Sequence, residues 1–126
     1  MNTIKIMILD DEEMLLTNLR SFLEDEGCDV DVFLNAEDAL TAVEADKYQA
    51  AVVDLRLREM DGFDFMKFAS EKDPQLKFII HTGSTQHLKN LENEILTDKV
   101  IGTFLKPVIR MQQLYERIFN YMEKQC

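Results

Sequence analysis

Four acids in a row, Asp10-Asp11-Glu12-Glu13, follow the apolar run Ile4 to Leu9, and a single carboxylate, Asp54, ends a second apolar run, Ala50-Ala51-Val52-Val53. Further along, Thr82-Gly83 follows Lys77-Phe78-Ile79-Ile80-His81, and Lys106-Pro107 follows the run Val100 to Leu105. If these ends meet, Asp10, Asp11 and Asp54 form a set of carboxylates that repel one another, and a hard divalent cation with oxygen preference relieves the repulsion. Magnesium suits the set, because it keeps waters and accepts one or two carboxylates together with a phosphate oxygen. An aspartate that the metal does not saturate can attack phosphorus, while Lys106 and the Thr82 hydroxyl neutralise and bond the phosphoryl oxygens.

Each fragment has an ordinary reading on its own. Acids open many helices because the macrodipole favours them there. Asp54 and Thr82-Gly83-Ser84 suit turns, and Lys106-Pro107 suits a helix with proline at its first position. The chemical reading rests on their coincidence at successive strand ends.

The run Thr3 to Leu9 is nearly continuous in apolar character, broken by Lys5, and Ala50 to Val53 is apolar throughout, which predicts strands buried on both faces, with the Asp54 charge where its strand surfaces. Between them, Leu15, Leu16, Leu19, Phe22 and Leu23 recur at helical spacing from Glu12 to Glu26, and Gly27 closes the segment. Cys28 to Phe33 alternates polar and apolar residues, the pattern of an edge strand. Asn35, with Asp38 three residues on, predicts a capped helix that buries Ala36, Ala39, Leu40 and Val43.

After the turn signal Asp61-Gly62, a helix to Ser70 carries Phe65, Met66, Phe68 and Ala69, and Asp73-Pro74 closes it. A strand over Lys77 to His81 precedes a helix with Leu88, Leu91 and Ile95, capped by Ser84 or Thr85. A fifth strand, Val100 to Leu105, leads to a last helix carrying Met111, Leu114, Tyr115, Ile118 and Met122. Five alternating βα units predict a parallel sheet with helices on both faces. With the alternating second strand at the edge, the order is 2-1-3-4-5, the flavodoxin-like doubly wound α/β fold with five helices, whose ligand site lies at the carboxyl ends of the strands.

A chain of 126 residues predicts a single domain without a linker, and 46% apolar with 30% charged residues is ordinary for a globular protein. No apolar stretch approaches a bilayer span, and the start lacks a charged segment before a long apolar run, so the cytoplasm is the expected address. Cys28 and Cys126 lie far apart without metal-type spacing, which argues against a disulfide framework or a zinc site. A net charge of −10 repels nucleic acid, so the expected ligands are cations or positively charged partners, and a bound phosphoryl group must bring a cation with it. His81 and His87 have no partner at ligand spacing and read as structural or exposed.

The acidic pair after strand 1, Asp54 with Asp61-Gly62 seven and eight residues on, Thr82-Gly83 and Lys106-Pro107 together resemble the receiver domain of a two-component response regulator, over essentially the whole chain. The resemblance implies that Asp54 accepts a phosphoryl group from a histidine kinase or a histidine phosphotransfer protein. It implies that Asp11 and Asp54 ligate Mg2+ directly with the backbone carbonyl of Arg56, and that Asp10 helps through water. Thr82 and Lys106 would hold the phosphoryl oxygens, with a cis Lys106-Pro107 bond. The output would pass to a downstream protein or output domain, or through a phosphorylation-dependent dimer. The face of the fourth helix, fifth strand and fifth helix would carry it, with Lys89, Lys99, Arg110 and Tyr115 as candidates.

The chain departs from the family pattern in places. Arg58 stands where proline is common, so the expectation is either a freer loop or an Arg58 that reaches a carboxylate such as Glu12 or Glu13. Thr103 replaces the usual switch aromatic, and Phe104 is a poor substitute because successive strand residues face opposite sides. Arg56 and Ser84 are placed to govern the lifetime of the phosphoryl group, and Gly83 to leave room for a donor. Three other readings stay open: a receiver that binds partners without phosphorylation, a flavodoxin, and a haloacid-dehalogenase-like phosphatase. The acids after strand 1 oppose a flavin phosphate, and Arg56 stands where such a phosphatase needs its acid/base aspartate.

Overall fold

The apolar runs pair into one parallel sheet of order β2-β1-β3-β4-β5, in a computed structural model that describes residues 3–83, 97–106 and 110–124. The strands are β1 (Lys5–Leu9), β2 (Asp29–Phe33), β3 (Ala50–Val53), β4 (Lys77–Thr82) and β5 (Val100–Leu105). Four α-helices lie among the described residues: α1 (Glu13–Asp25), α2 (Ala36–Ala42), α3 (Gly62–Lys72) and α4 (Met111–Lys124). The fold is therefore the expected flavodoxin-like one, with four helices described against the five expected. The expected helix with Leu88, Leu91 and Ile95 falls outside the described residues, as do its caps Ser84 and Thr85, His87, Lys89, Pro107 and Cys126.

Strand alternation sorts the core into two halves. Met7, Leu9, Ala51, Val53, Phe78 and Ile80 pack with Ala39, Phe65, Met66 and Ala69 of α2 and α3. Their neighbours Ile6, Ile8, Val52 and Ile79 pack with Leu16, Leu19 and Leu23 of α1 and Leu114 and Ile118 of α4. Each large side chain so buried stabilises the fold by about 1.5–3 kcal/mol, and a one-residue slip would turn every one of them to the wrong helices. The register is thereby fixed, with Leu9 level with both Phe33 and Val53.

The edge strand keeps the predicted mixed character, with Val30 buried and Asp29 exposed. Asp31 on the same strand accepts the Tyr48 hydroxyl at 2.6 Å. The Asn35 side chain accepts the Asp38 N–H at 2.8 Å, satisfying a donor in the first turn of α2. Between β4 and β5 the register shifts, since Phe78 pairs with Val100 and Ile79 with Gly102, so Ile101 is an extra residue at a bulge. Past the bulge Phe104 packs on the α1 and α4 side, whereas Thr103 is exposed. The opposed orientation expected of these two residues is the one observed.

Candidate functional site

The sheet ladder continues one residue beyond the strands, and this places the acids. The Asp10 N–H donates to the Phe33 carbonyl and the Asp54 N–H to the Leu9 carbonyl, each at 3.1 Å, so the two aspartates leave adjacent strands side by side. On the far side, the Lys106 N–H donates to the Thr82 carbonyl at 2.9 Å, which sends the lysine back over the same edge. Its ammonium lies 2.8 Å from Asp10 Oδ2, 2.9 Å from Asp54 Oδ2 and 3.1 Å from Glu12 Oε1.

The Asp54 charge does not surface as expected. The side chains of Asp10 and Asp54 are each only 4% exposed and that of Lys106 9%. Buried carboxylates need partners, and each has two. Asp10 Oδ1 accepts the Glu12 N–H at 2.9 Å, and Asp54 Oδ1 accepts the Arg56 N–H at 3.1 Å. Burial pushes the Asp10 carboxyl above the usual range even with Lys106 beside it. For Lys106, burial opposes the charge, but hydrogen bonds to Asp10 and Asp54 outweigh it and hold the ammonium above its ordinary value.

Asp10, Asp11, Glu12 and Asp54 each offer a carboxylate oxygen, all within 4.8 Å of one another. An all-oxygen, acidic donor set of that size fits a hard divalent cation such as Mg2+ and suits neither soft nor nitrogen-seeking metals. Arg58 does reach a carboxylate, but that of Asp11, with Oδ2 at 3.7 Å, and not Glu12 or Glu13. The guanidinium is 86% exposed, so this pair contributes little to stability.

Asp54, Lys106, Glu12, Arg56 and Gly83 line a cleft of about 700 Å³. Thr82 is fully buried beside it at the end of β4. Among the described residues, a Cβ at Gly83 would meet nothing nearer than Lys106 Cβ at 3.9 Å. Glu12 escapes the sequence signals: it reads as a helix-start acid, its one further signal being membership of a four-carboxylate run. His81 is buried, as a structural histidine is, with Nε2 unpartnered among the described residues, and burial together with the Lys106 charge pushes it down to about 4.

Residues 6–119 match the family profile described as the response regulator receiver domain. The chain is 30% identical over 98 residues to the alkaline phosphatase synthesis transcriptional regulatory protein PhoP of Bacillus subtilis, covering 78% of this chain and 37% of that one. It is 29% identical over 120 residues to the transcriptional regulatory protein BasR of Escherichia coli, covering 90% and 50%. The chain thus spans half or less of the length of these curated relatives. Among solved structures, a CheY-like response regulator receiver domain protein from Methanospirillum hungatei superposes with a TM-score of 0.86 at 25% identity, covering 98% and 97% of the two chains.

Proposed function

The chain belongs to the response regulator receiver domain family, and we propose that Asp54 is its phosphoacceptor and that its 126 residues act as one receiver unit. A receiver domain is a signalling module of two-component systems. The observation that carries it is the Lys106 ammonium, held at 2.8 and 2.9 Å between two nearly buried aspartates at the open end of the sheet.

In the proposed step an Asp54 carboxylate oxygen attacks the phosphorus of a histidine kinase or a histidine phosphotransfer protein. The new P–O bond forms as the bond from phosphorus to the donor imidazole nitrogen breaks, and that electron pair leaves with the imidazole. Lys106 stays protonated throughout and turns to the phosphoryl oxygens, and the Thr82 hydroxyl donates to another. Asp11, Asp54 and the Arg56 carbonyl are assigned as direct holders of Mg2+, with Asp10 acting through water. The bound ion supplies positive charge that offsets the carboxylates and the arriving phosphoryl group. Hydrolysis of the acyl phosphate by water resets the domain.

The signal then passes to a downstream protein or output domain, or through dimerisation. Lys99, Arg110 and Tyr115, with Lys89, are the candidate contacts. The test is intact mass after incubation with acetyl phosphate and Mg2+, comparing wild type with Asp54→Ala. A phosphate-sized increment in the wild type alone supports the assignment. Its survival in Asp54→Ala moves the acceptor elsewhere, and its absence from both favours a receiver that binds partners without phosphorylation.

A further inference from the structure

The Lys106 ammonium has three N–H donors, and in the unphosphorylated protein three carboxylates take them: Asp10, Asp54 and Glu12. These acceptors are not held alike. Asp10 and Asp54 are 4% exposed, but the Glu12 side chain is 58% exposed at the rim of the cleft. The Glu12 backbone is fixed, since its N–H donates to Asp10 at 2.9 Å and its carbonyl accepts the Leu16 N–H at 3.1 Å. Only the side chain is left to swing. Returning an exposed carboxylate to water costs little, whereas freeing a buried one strands a desolvated charge. Of the three, Glu12 is the partner that an arriving phosphoryl oxygen displaces from Lys106.

We propose that Glu12 is a positioning residue that gates phosphorylation by holding the Lys106 donor the phosphoryl group requires. The inference rests on the reading of Asp54 as acceptor. When the bond to phosphorus forms at Asp54 and the donor leaves with its electron pair, Glu12 exchanges Lys106 for water. No proton moves, and the lysine gains a phosphoryl oxygen for the carboxylate it loses. Glu12 thereby sets how readily the domain charges, by competing for Lys106 and by presenting negative charge at the mouth of the cleft.

The experiment measures trifluoroberyllate affinity in saturating Mg2+ by NMR titration, for wild type, Glu12→Gln, Glu13→Gln and Asp54→Ala. Glu12→Gln is expected to bind about two- to fivefold tighter, the range for an ion pair with one exposed partner. Glu13→Gln, which removes the same charge one residue on, is expected to match wild type. In metal-free protein, the Lys106 ammonium 15N signal is expected to shift and exchange faster with water in Glu12→Gln alone. Equal or weaker trifluoroberyllate binding by Glu12→Gln overturns the gate while leaving the acceptor reading intact. So does a tenfold loss of Mg2+ affinity without fluoride, which would make Glu12 a metal ligand. Failure of wild type to bind trifluoroberyllate in an Asp54-dependent way overturns both.

Discussion

Replacing Gly62 by alanine tests how the loop after β3 holds Asp54. Gly62 opens α3 directly after Asp61, whose Oδ1 caps the helix by accepting the Phe63 N–H at 2.7 Å. Among the described glycines only Gly27 has a positive φ, so Gly62 is not there for conformational freedom. A Cβ at Gly62 would stand 2.6 Å from the Asp54 carbonyl oxygen and 2.7 Å from Leu55 Cα, both backbone atoms that cannot rotate aside. The Gly62 N–H also donates to the Leu55 carbonyl at 3.0 Å, binding the start of α3 to the residue after Asp54. Overpacking of this kind costs about 1–3 kcal/mol, against at most about 1 kcal/mol that alanine gains over glycine in a helix. With backbone atoms as the obstacle the cost falls in the upper part of that range, and a net loss of about 1–2 kcal/mol corresponds to a fall in Tm of roughly 3–10 °C for a chain of this size. Because the displaced backbone belongs to Asp54, acetyl phosphate labelling should slow about tenfold or more, as a misplaced nucleophile does. Thermal melts by circular dichroism and intact-mass time courses measure the two effects. Gly83→Ala, whose Cβ meets nothing closer than 3.9 Å among the described residues, is the matched control and should keep its Tm. A Gly62→Ala protein that melts within about 1 °C of wild type and labels at the same rate would refute the reasoning.

Two further outcomes follow from the same geometry. His81 has a folded value pushed down to about 4 against its ordinary 6.5, so the unfolded chain takes up its proton first as pH falls. The stability that neutral His81 allows is complete above pH 6.5 and is lost toward pH 4, by up to roughly 3 kcal/mol at about 1.4 kcal/mol per unit. Asp10, whose carboxyl is raised, acts with the opposite sign, so the check is the difference between urea melts of wild type and His81→Leu across that window; a constant difference would contradict it. Arg56 is exposed at the cleft beside Asp54, and its cation is placed to screen the acyl phosphate from water. Decay of the phosphorylated protein should be about two- to fivefold faster in Arg56→Ala, the scale of an exposed charge pair, and unchanged or slower decay would count against that role.

Much of this protein is legible in its sequence because the signals are local. Continuous apolar runs give β1 and β3, alternation gives the edge strand β2, Asn35 with Asp38 gives the start of α2, and strict βα alternation gives the strand order. With that order in hand, the carboxyl ends of β1, β3 and β4 and the turn after β5 necessarily face one another, so Asp10, Asp54, Thr82 and Lys106 could be named together. Other features arise only from contacts between residues distant in sequence, which no local pattern encodes. Asp54 is buried, not surfaced, because Lys106 arrives from the far side of the sheet to pair with it. Glu12 differs from Glu13 in sequence by nothing but position, yet the start of α1 brings Glu12 alone of the two onto that lysine. Arg58 meets Asp11 only once β1 and β3 pair and bring their ends together. Asp61-Gly62 reads as a turn signal, but the glycine is required by the 2.6 Å approach of the Asp54 backbone. Local patterns name the groups that stand at the end of the sheet; their burial and pairing come from its assembly, because charges 52 and 94 residues apart meet only then.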